Sequence, residues 1–193
     1  MSPLVSVVVP THYRNDRLET AIDSVLDQTH EEVELIVVDD SGESHARPVV
    51  DSYATNELTY ISLSENRGGN MARNAGIERA NGAFVALLDD DDWFHETRLE
   101  RGVAQLQEAD VGVSYCGRVF ENGRTLCPRP GRTGVVLDRA LAFDIAPCVT
   151  STMLMSSTVL DNVTPLADRP GGDDLGLMIE LACRTRFTAS MNR

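Results

Sequence analysis

The sequence predicts an α/β protein: a mostly parallel central sheet flanked by helices, followed by a mixed α/β second half. Three observations predict it. Four β-α units follow one another between residues 4 and 108. Their strands are apolar throughout, as in strands covered on both faces, which marks a parallel sheet sandwiched by helices. Three of those strands run directly into polar or acidic clusters, and functional groups in such sheets collect at the carboxyl ends of the strands.

The elements follow in order. "LVSVVVP" (4–10) is a β-branched run stopped by proline, the mark of a buried strand. Asn15 or Asp16 can cap a helix whose Leu18, Ala21, Ile22, Val25 and Leu26 share one face, the spacing of an amphipathic helix. "VELIVVDD" (33–40) is a second strand, and residues 44–54 can form a helix with Val49, Val50 and Tyr53 inward. "LTYISL" (58–63) and "GGNMARNAGIERA" (68–80) give the third strand and helix. "AFVALL" (83–88) is the fourth strand, and a helix over 95–108 buries Leu99, Val103 and Leu106.

After residue 110 the alternation breaks down. "VGVSYCGRVF" (111–120) reads as a strand and Asn122-Gly123 as a hairpin turn. Residues 127–134 are loop, 149–157 a strand and 173–184 a helix. At 193 residues the whole chain, 1–193, suits one domain, with 111–193 an addition to the half formed by 1–110.

Apolar residues make up 42 %, ordinary for a globular protein, but the net charge is −13 and every basic residue apart from histidine is arginine. So acidic a chain argues against nucleic acid as a partner and against docking on anionic membrane through a basic patch. The lysine-free, acidic composition suggests a high-salt cytoplasm, where screening tolerates net charge; a GC-rich genome would also favour arginine codons. Cys116, Cys127, Cys148 and Cys183 include no C-x-x-C pair, so metal-finger and thioredoxin-like readings fail and free thiols in a reducing compartment are expected. Met1 leads directly into a strand, so no signal peptide is expected. No apolar run is long enough for a transmembrane segment. The expected location is cytoplasmic, or peripheral at the inner face of the membrane.

The stretch "FVALLDDDDWF" (84–94) places four aspartates at the mouth of a buried strand, against the only tryptophan. Carboxylates this close repel and raise one another's pKa. At a rigid strand end they suit a hard divalent cation, Mg²⁺ or Mn²⁺, which relieves the repulsion and can hold a diphosphate. Asp39 and Asp40 after the second strand could cap a turn or accept hydrogen bonds from a base or ribose. "NRGGNMARNAG" (66–76) lacks both the P-loop and the dinucleotide-binding pattern. Gly68 and Gly69 could admit a ligand or only turn the chain, and Arg67 and Arg73 could pair with phosphate or with the nearby aspartates. In "RPGGDDLGLMIELA" (169–182), Asp173 and Asp174 could cap a helix or present a general base. The histidines show no H-E-x-x-H, and the G-x-S-x-G elbow is missing.

Together "VSVVVPTHYRND", "QTHEEVELIVVDDS", "NRGGNMARNAGIERANGAFVALLDDDDWF" and, more weakly, "GGDDLGLMIELA" resemble the family 2 glycosyltransferases, which have the Rossmann-like GT-A fold. The resemblance is close over 4 to about 110. It implies that Pro10, Thr11 and Asp39 hold base and ribose, with Gly68 beside them. Asp89 and Asp91 are then the pair of the D-x-D metal element, and Asp90 lies near the ribose or the metal. Asp174 is the catalytic base, although Asp173 and Leu175 stand where the family has Glu and an aromatic residue. The implied activity is a metal-dependent, inverting transfer from a nucleoside-diphosphate sugar, a UDP-sugar first, to a hydroxyl of a glycan, polysaccharide or lipid-linked acceptor. Members commonly continue beyond the late helix, so the acceptor-side half is expected to be cut short or minimal. The rivals are a nucleotidyltransferase, which lacks its Gly-rich basic loop here, and a non-catalytic sugar-nucleotide-binding module. A phosphoacceptor signalling domain would need a lysine, and there is none.

Overall fold

The computed structural model describes residues 2–108, 110–168 and 172–190. Strands β1 (Val5–Thr11), β2 (Val33–Asp39), β3 (Leu58–Ser62) and β4 (Phe84–Leu87) alternate with helices α1 (Asn15–Leu26), α2 (Arg47–Val50), α3 (Gly69–Arg79) and α4 (Arg98–Glu108). The second half adds β5 (Val113–Tyr115), β6 (Arg118–Val119), β7 (Thr125–Leu126) and α5 (Leu137–Leu141). A 3-10 turn at Thr150–Thr152 leads into β8 (Met153–Ser156), followed by α6 (Ser157–Leu160), α7 (Asp173–Ala182) and β9 (Phe187–Ala189).

Seven strands form one sheet in the order β3-β2-β1-β4-β8-β5-β9. β1 pairs in parallel with both β2 and β4, and β2 with β3. β8 runs antiparallel to β4 and β5, while β5 and β9 are parallel. The sheet is therefore mostly parallel, as expected. The chain builds outward from β1 to β3 and then returns to β1's other side as β4. The carboxyl ends of β1 and β4 consequently flank the crevice where α/β sheets of this kind bind ligands.

Strand parity divides the core. Leu35 and Val37 face α1, α2 and α4, with Leu18, Ile22, Val49 and Leu99 packed on that side. Ile36 and Val38 face α3, α5 and α7, with Ala72, Ala140 and Leu181. α3 lies tight on the sheet at Gly76, where a Cβ would meet Val8 Cγ1 at 2.3 Å.

Several expectations are corrected. Neither Asn15 nor Asp16 caps α1: the N-cap is Arg14 without a side-chain bond, and Asn15 Nδ2 donates to the His45 carbonyl at 3.0 Å. The helix expected over 44–54 shrinks to one turn with proline at its start, although Val49 and Val50 are buried as expected. The strand expected over 111–120 breaks into β5 and β6, the latter pairing with β7 through the Asn122-Gly123 turn. The helix α5 and the edge strand β9 were not anticipated.

Candidate active site

Thr11 ends β1 and Asp90 follows β4, and Thr11 Oγ1 donates to Asp90 Oδ2 at 2.8 Å. This bond ties the two strand ends that flank the crevice. Pro10, Thr11, Asp40, Gly68 and Asp89 to Asp91 line the resulting cleft of about 520 Å³, with His12, Arg14 and Arg73. In its lining Gly68, with φ at +88°, turns the chain into α3. That conformation is open to glycine and strained for other residues.

Asp39, expected in the nucleotide pocket, does not line this cleft. Its relative exposure is 0 %. Its carboxylate accepts from the backbone N–H of Ser41 at 2.9 Å and of Ala46 at 2.7 Å, and from the Tyr60 hydroxyl at 2.7 Å. Burial alone would raise its pKa, but these donors hold it below the usual carboxylate value. The parity of β2 is the reason: Asp39 continues the Val37 side, toward α2. Asp40 continues the Val38 side and takes the position expected of Asp39. It lines the cleft and accepts from the N–H groups of Arg67 and Gly68, each at 2.8 Å.

The four aspartates after β4 divide in two. Asp89, Asp91 and Asp92 each bring a carboxylate oxygen within 4.8 Å of the other two. An all-oxygen set at this spacing fits a hard divalent cation, and the residues therefore suit Mg²⁺ or Mn²⁺. Asp92, outside the expected Asp89–Asp91 pair, lies in the same group. Asp90 is buried and turned to Thr11. Three arginines offset the charge. Arg14 Nη1 lies 3.0 Å from both Asp90 and Asp91, Arg73 Nη2 lies 2.6 Å from Asp89, and Arg118 Nη2 lies 3.9 Å from Asp92. Burial pushes the Asp89 carboxyl up. Arg73 opposes the rise, and the charges of Asp174 and Asp92 add to it.

That influence of Asp174 on Asp89 joins the late helix to the cleft. Asp173 and Asp174 open α7, after Gly172 with φ at +74°; the rest of the expected loop, residues 169–171, lies outside the described residues. Asp174 Oδ1 accepts from the Thr150 backbone N–H at 3.1 Å and from the Thr150 hydroxyl. Asp173 is turned to Arg73, with Oδ2 at 3.7 Å from Nη1. The two acids thus have different partners, and Thr150, unmarked in sequence, fixes the orientation of Asp174.

The chain covers 98 % of its own length on S. aureus TarS, with a TM-score of 0.82 and 23 % identity over 58 % of that chain. TarS crystallised with UDP-GlcNAc superposes with a TM-score of 0.80. The mannosyltransferase PcManGT of Pyrobaculum calidifontis, in complex with GDP-Man and Mn²⁺, matches with a TM-score of 0.75 and 20 % identity over 56 % of its length. These likenesses show the GT-A fold. In sequence the chain is 37 % identical over 117 residues to Bacillus subtilis TuaG, a glycosyltransferase provisionally assigned to teichuronic acid biosynthesis. That match covers 60 % of this chain and 46 % of TuaG, so the chain spans less than half the length of this relative. The family model for glycosyl transferase family 2 matches residues 6–163. The sequence motifs, the fold and this match agree, and the chain belongs to glycosyl transferase family 2.

Proposed function

We propose that this chain binds a nucleoside-diphosphate sugar in the cleft between β1, β2 and β4 and transfers the sugar, with inversion, to an acceptor hydroxyl. The observation that carries this reading is the convergence of Asp89, Asp91 and Asp92 within 4.8 Å, the first two lining that cleft. Asp40, Thr11 and Gly68 stand on its other walls. A UDP-sugar is the first donor to test, since TarS carries UDP-GlcNAc in a like fold; a GDP-sugar is the second.

Asp40, Pro10, Thr11 and Asp90 would receive base and ribose. Asp89, Asp91 and Asp92 would hold Mg²⁺ or Mn²⁺, which supplies Lewis-acid stabilisation of the diphosphate leaving group. Asp174, oriented by Thr150, takes the proton from the acceptor hydroxyl. The acceptor oxygen then bonds to the anomeric carbon from the face opposite the diphosphate, the bond to the diphosphate breaks, and the nucleoside diphosphate leaves. Among the described residues no helix is long and apolar enough to cross a membrane. A glycan or lipid-linked acceptor met in the cytoplasm or at a membrane face is the setting we propose.

The test is release of nucleoside diphosphate from UDP- and GDP-sugars in the presence of glycan and lipid-linked acceptors, with the product anomer read by NMR. A β-linked product from an α-linked donor supports the reading. A retained anomer contradicts inversion, and donor binding without turnover on any acceptor favours a binding module.

A further inference from the structure

Three arginines meet the aspartate run, and they are not equivalent. Arg73 is buried and pinned between Asn70, at 3.0 Å, and Asp89, at 2.6 Å. Arg118 reaches Asp92 only at 3.9 Å. Arg14 spreads a single nitrogen over two carboxylates, with Nη1 3.0 Å from Asp90 Oδ1 and 3.0 Å from Asp91 Oδ2. Its side chain is 53 % exposed and lines the cleft together with Gly68 and Gly69. Its structural duty rests on the backbone: the Arg14 carbonyl accepts from the N–H groups of Arg17 and Leu18, each at 3.0 Å. The guanidinium can therefore move without undoing α1.

A divalent cation on Asp91 would compete with Arg14, which already holds one oxygen of that carboxylate. Such an ion would sit about 2 Å from the ligand oxygen. The guanidinium would then lie within about 5 Å of a double positive charge in a partly desolvated cleft, where like charges repel strongly. Asp90 does not need Arg14 in the same way, because Thr11 also donates to it. A displaced guanidinium in this cleft finds its best partner in phosphate oxygens, whose geometry its planar fork matches with two parallel bonds.

We propose, building on the donor-cleft reading above, that Arg14 is an exchange residue. In the empty cleft it neutralises Asp90 and Asp91. When a divalent cation takes Asp91, Arg14 turns onto the diphosphate of the nucleotide. Arg14 therefore opposes the binding of metal alone and favours the binding of metal and nucleotide together. This is a positive coupling between the two ligands, carried by one side chain.

The test compares wild type, Arg14→Gln and Arg14→Lys. Mn²⁺ binding is measured by electron paramagnetic resonance without nucleotide, and binding of UDP or GDP at saturating Mn²⁺ by calorimetry. Arg14→Gln is expected to bind Mn²⁺ alone at least threefold more tightly and the nucleotide at least threefold more weakly. Arg14→Lys, which keeps the charge but not the fork, should fall between. The opposed movement is what a merely structural arginine would not give. Both affinities unchanged, or both weakened, would overturn the exchange while leaving the cleft assignment standing. A folded wild type that binds neither Mn²⁺ nor nucleotide would overturn the cleft assignment and the exchange with it.

Discussion

Arg73 Nη2 lies 2.6 Å from Asp89 Oδ1 while its Nη1 is 3.7 Å from Asp173, so one buried guanidinium joins the end of β4 to the start of α7. Removing one partner of such a pair leaves the other charge uncompensated, and the loss is largest where both are desolvated. Arg73→Met should destabilise the fold by about 3 kcal/mol, measured by urea unfolding in EDTA. Added Mn²⁺ should recover part of the loss by neutralising Asp89. An Arg73→Met variant as stable as wild type would show that the link contributes nothing.

Asp39 makes a pH-dependent contribution. Its folded pKa lies below its unfolded one, because its hydrogen bonds outweigh the cost of burial. The contribution is therefore present above about pH 4, the ordinary Asp value, and is lost as pH falls through the folded pKa. Asp39→Asn cannot accept from all three donors. It should cost about 1–3 kcal/mol at neutral pH and flatten the acid limb of the stability curve below pH 5. An unchanged acid limb in urea midpoints taken from pH 2 to 7 would contradict this.

Asp174 and Thr150 should separate chemistry from binding. Asp174→Asn is expected to lower turnover by at least about 100-fold, the range of a lost general base, with donor affinity within twofold of wild type. Thr150→Val should lower kcat less, by about tenfold, because it removes the hydroxyl bond to the carboxylate but keeps the backbone N–H bond. Single-turnover rates beside donor calorimetry would check both, and a matching loss of donor affinity would refute the division of roles.

Gly76 tests the packing that sets the cleft. A Cβ there would meet Val8 Cγ1 at 2.3 Å and Val38 Cγ2 at 3.1 Å, pushing α3 off β1 and β2. Gly76→Ala should cost about 1–3 kcal/mol by overpacking, despite alanine's better helix propensity. A stabilised variant would mean that α3 can shift freely.

The first half of the fold was legible because its strands are short apolar β-branched runs and most of its helices carry a clear period. α2 was overextended: Val49, Val50 and Tyr53 mark an inward face but do not fix helix length. β8 gave no sign of its direction, since "MLMS" reads the same parallel or antiparallel. β9 and α5, of three and five residues, are too short to show a period. In the site, residue types were readable but orientations were not. Adjacent residues in a strand point to opposite faces, and the chain alone does not say which face of β2 carries the cleft, so Asp39 is expected where Asp40 lines it. Asp92 was passed over for a similar reason: four aspartates in a row offer two D-x-D pairs, and only folding the loop after β4 groups Asp92 with Asp89 and Asp91. Thr150 and Arg14 act across 24 and 76 or more residues of chain, contacts that no local pattern records.

The proposed cation-dependent nucleotide cleft lies at the ends of β1 and β4. It is tested most directly by thermal melting of wild type and Asp91→Asn with UDP and GDP, each with and without Mn²⁺. A ligand at 100 times its Kd adds about 2.7 kcal/mol of stability, enough to move the midpoint by several degrees. A shift in wild type that requires both Mn²⁺ and a nucleotide, and that Asp91→Asn abolishes, is the predicted result. No shift with either nucleotide in a folded sample, or a shift that Asp91→Asn leaves intact, would contradict the claim.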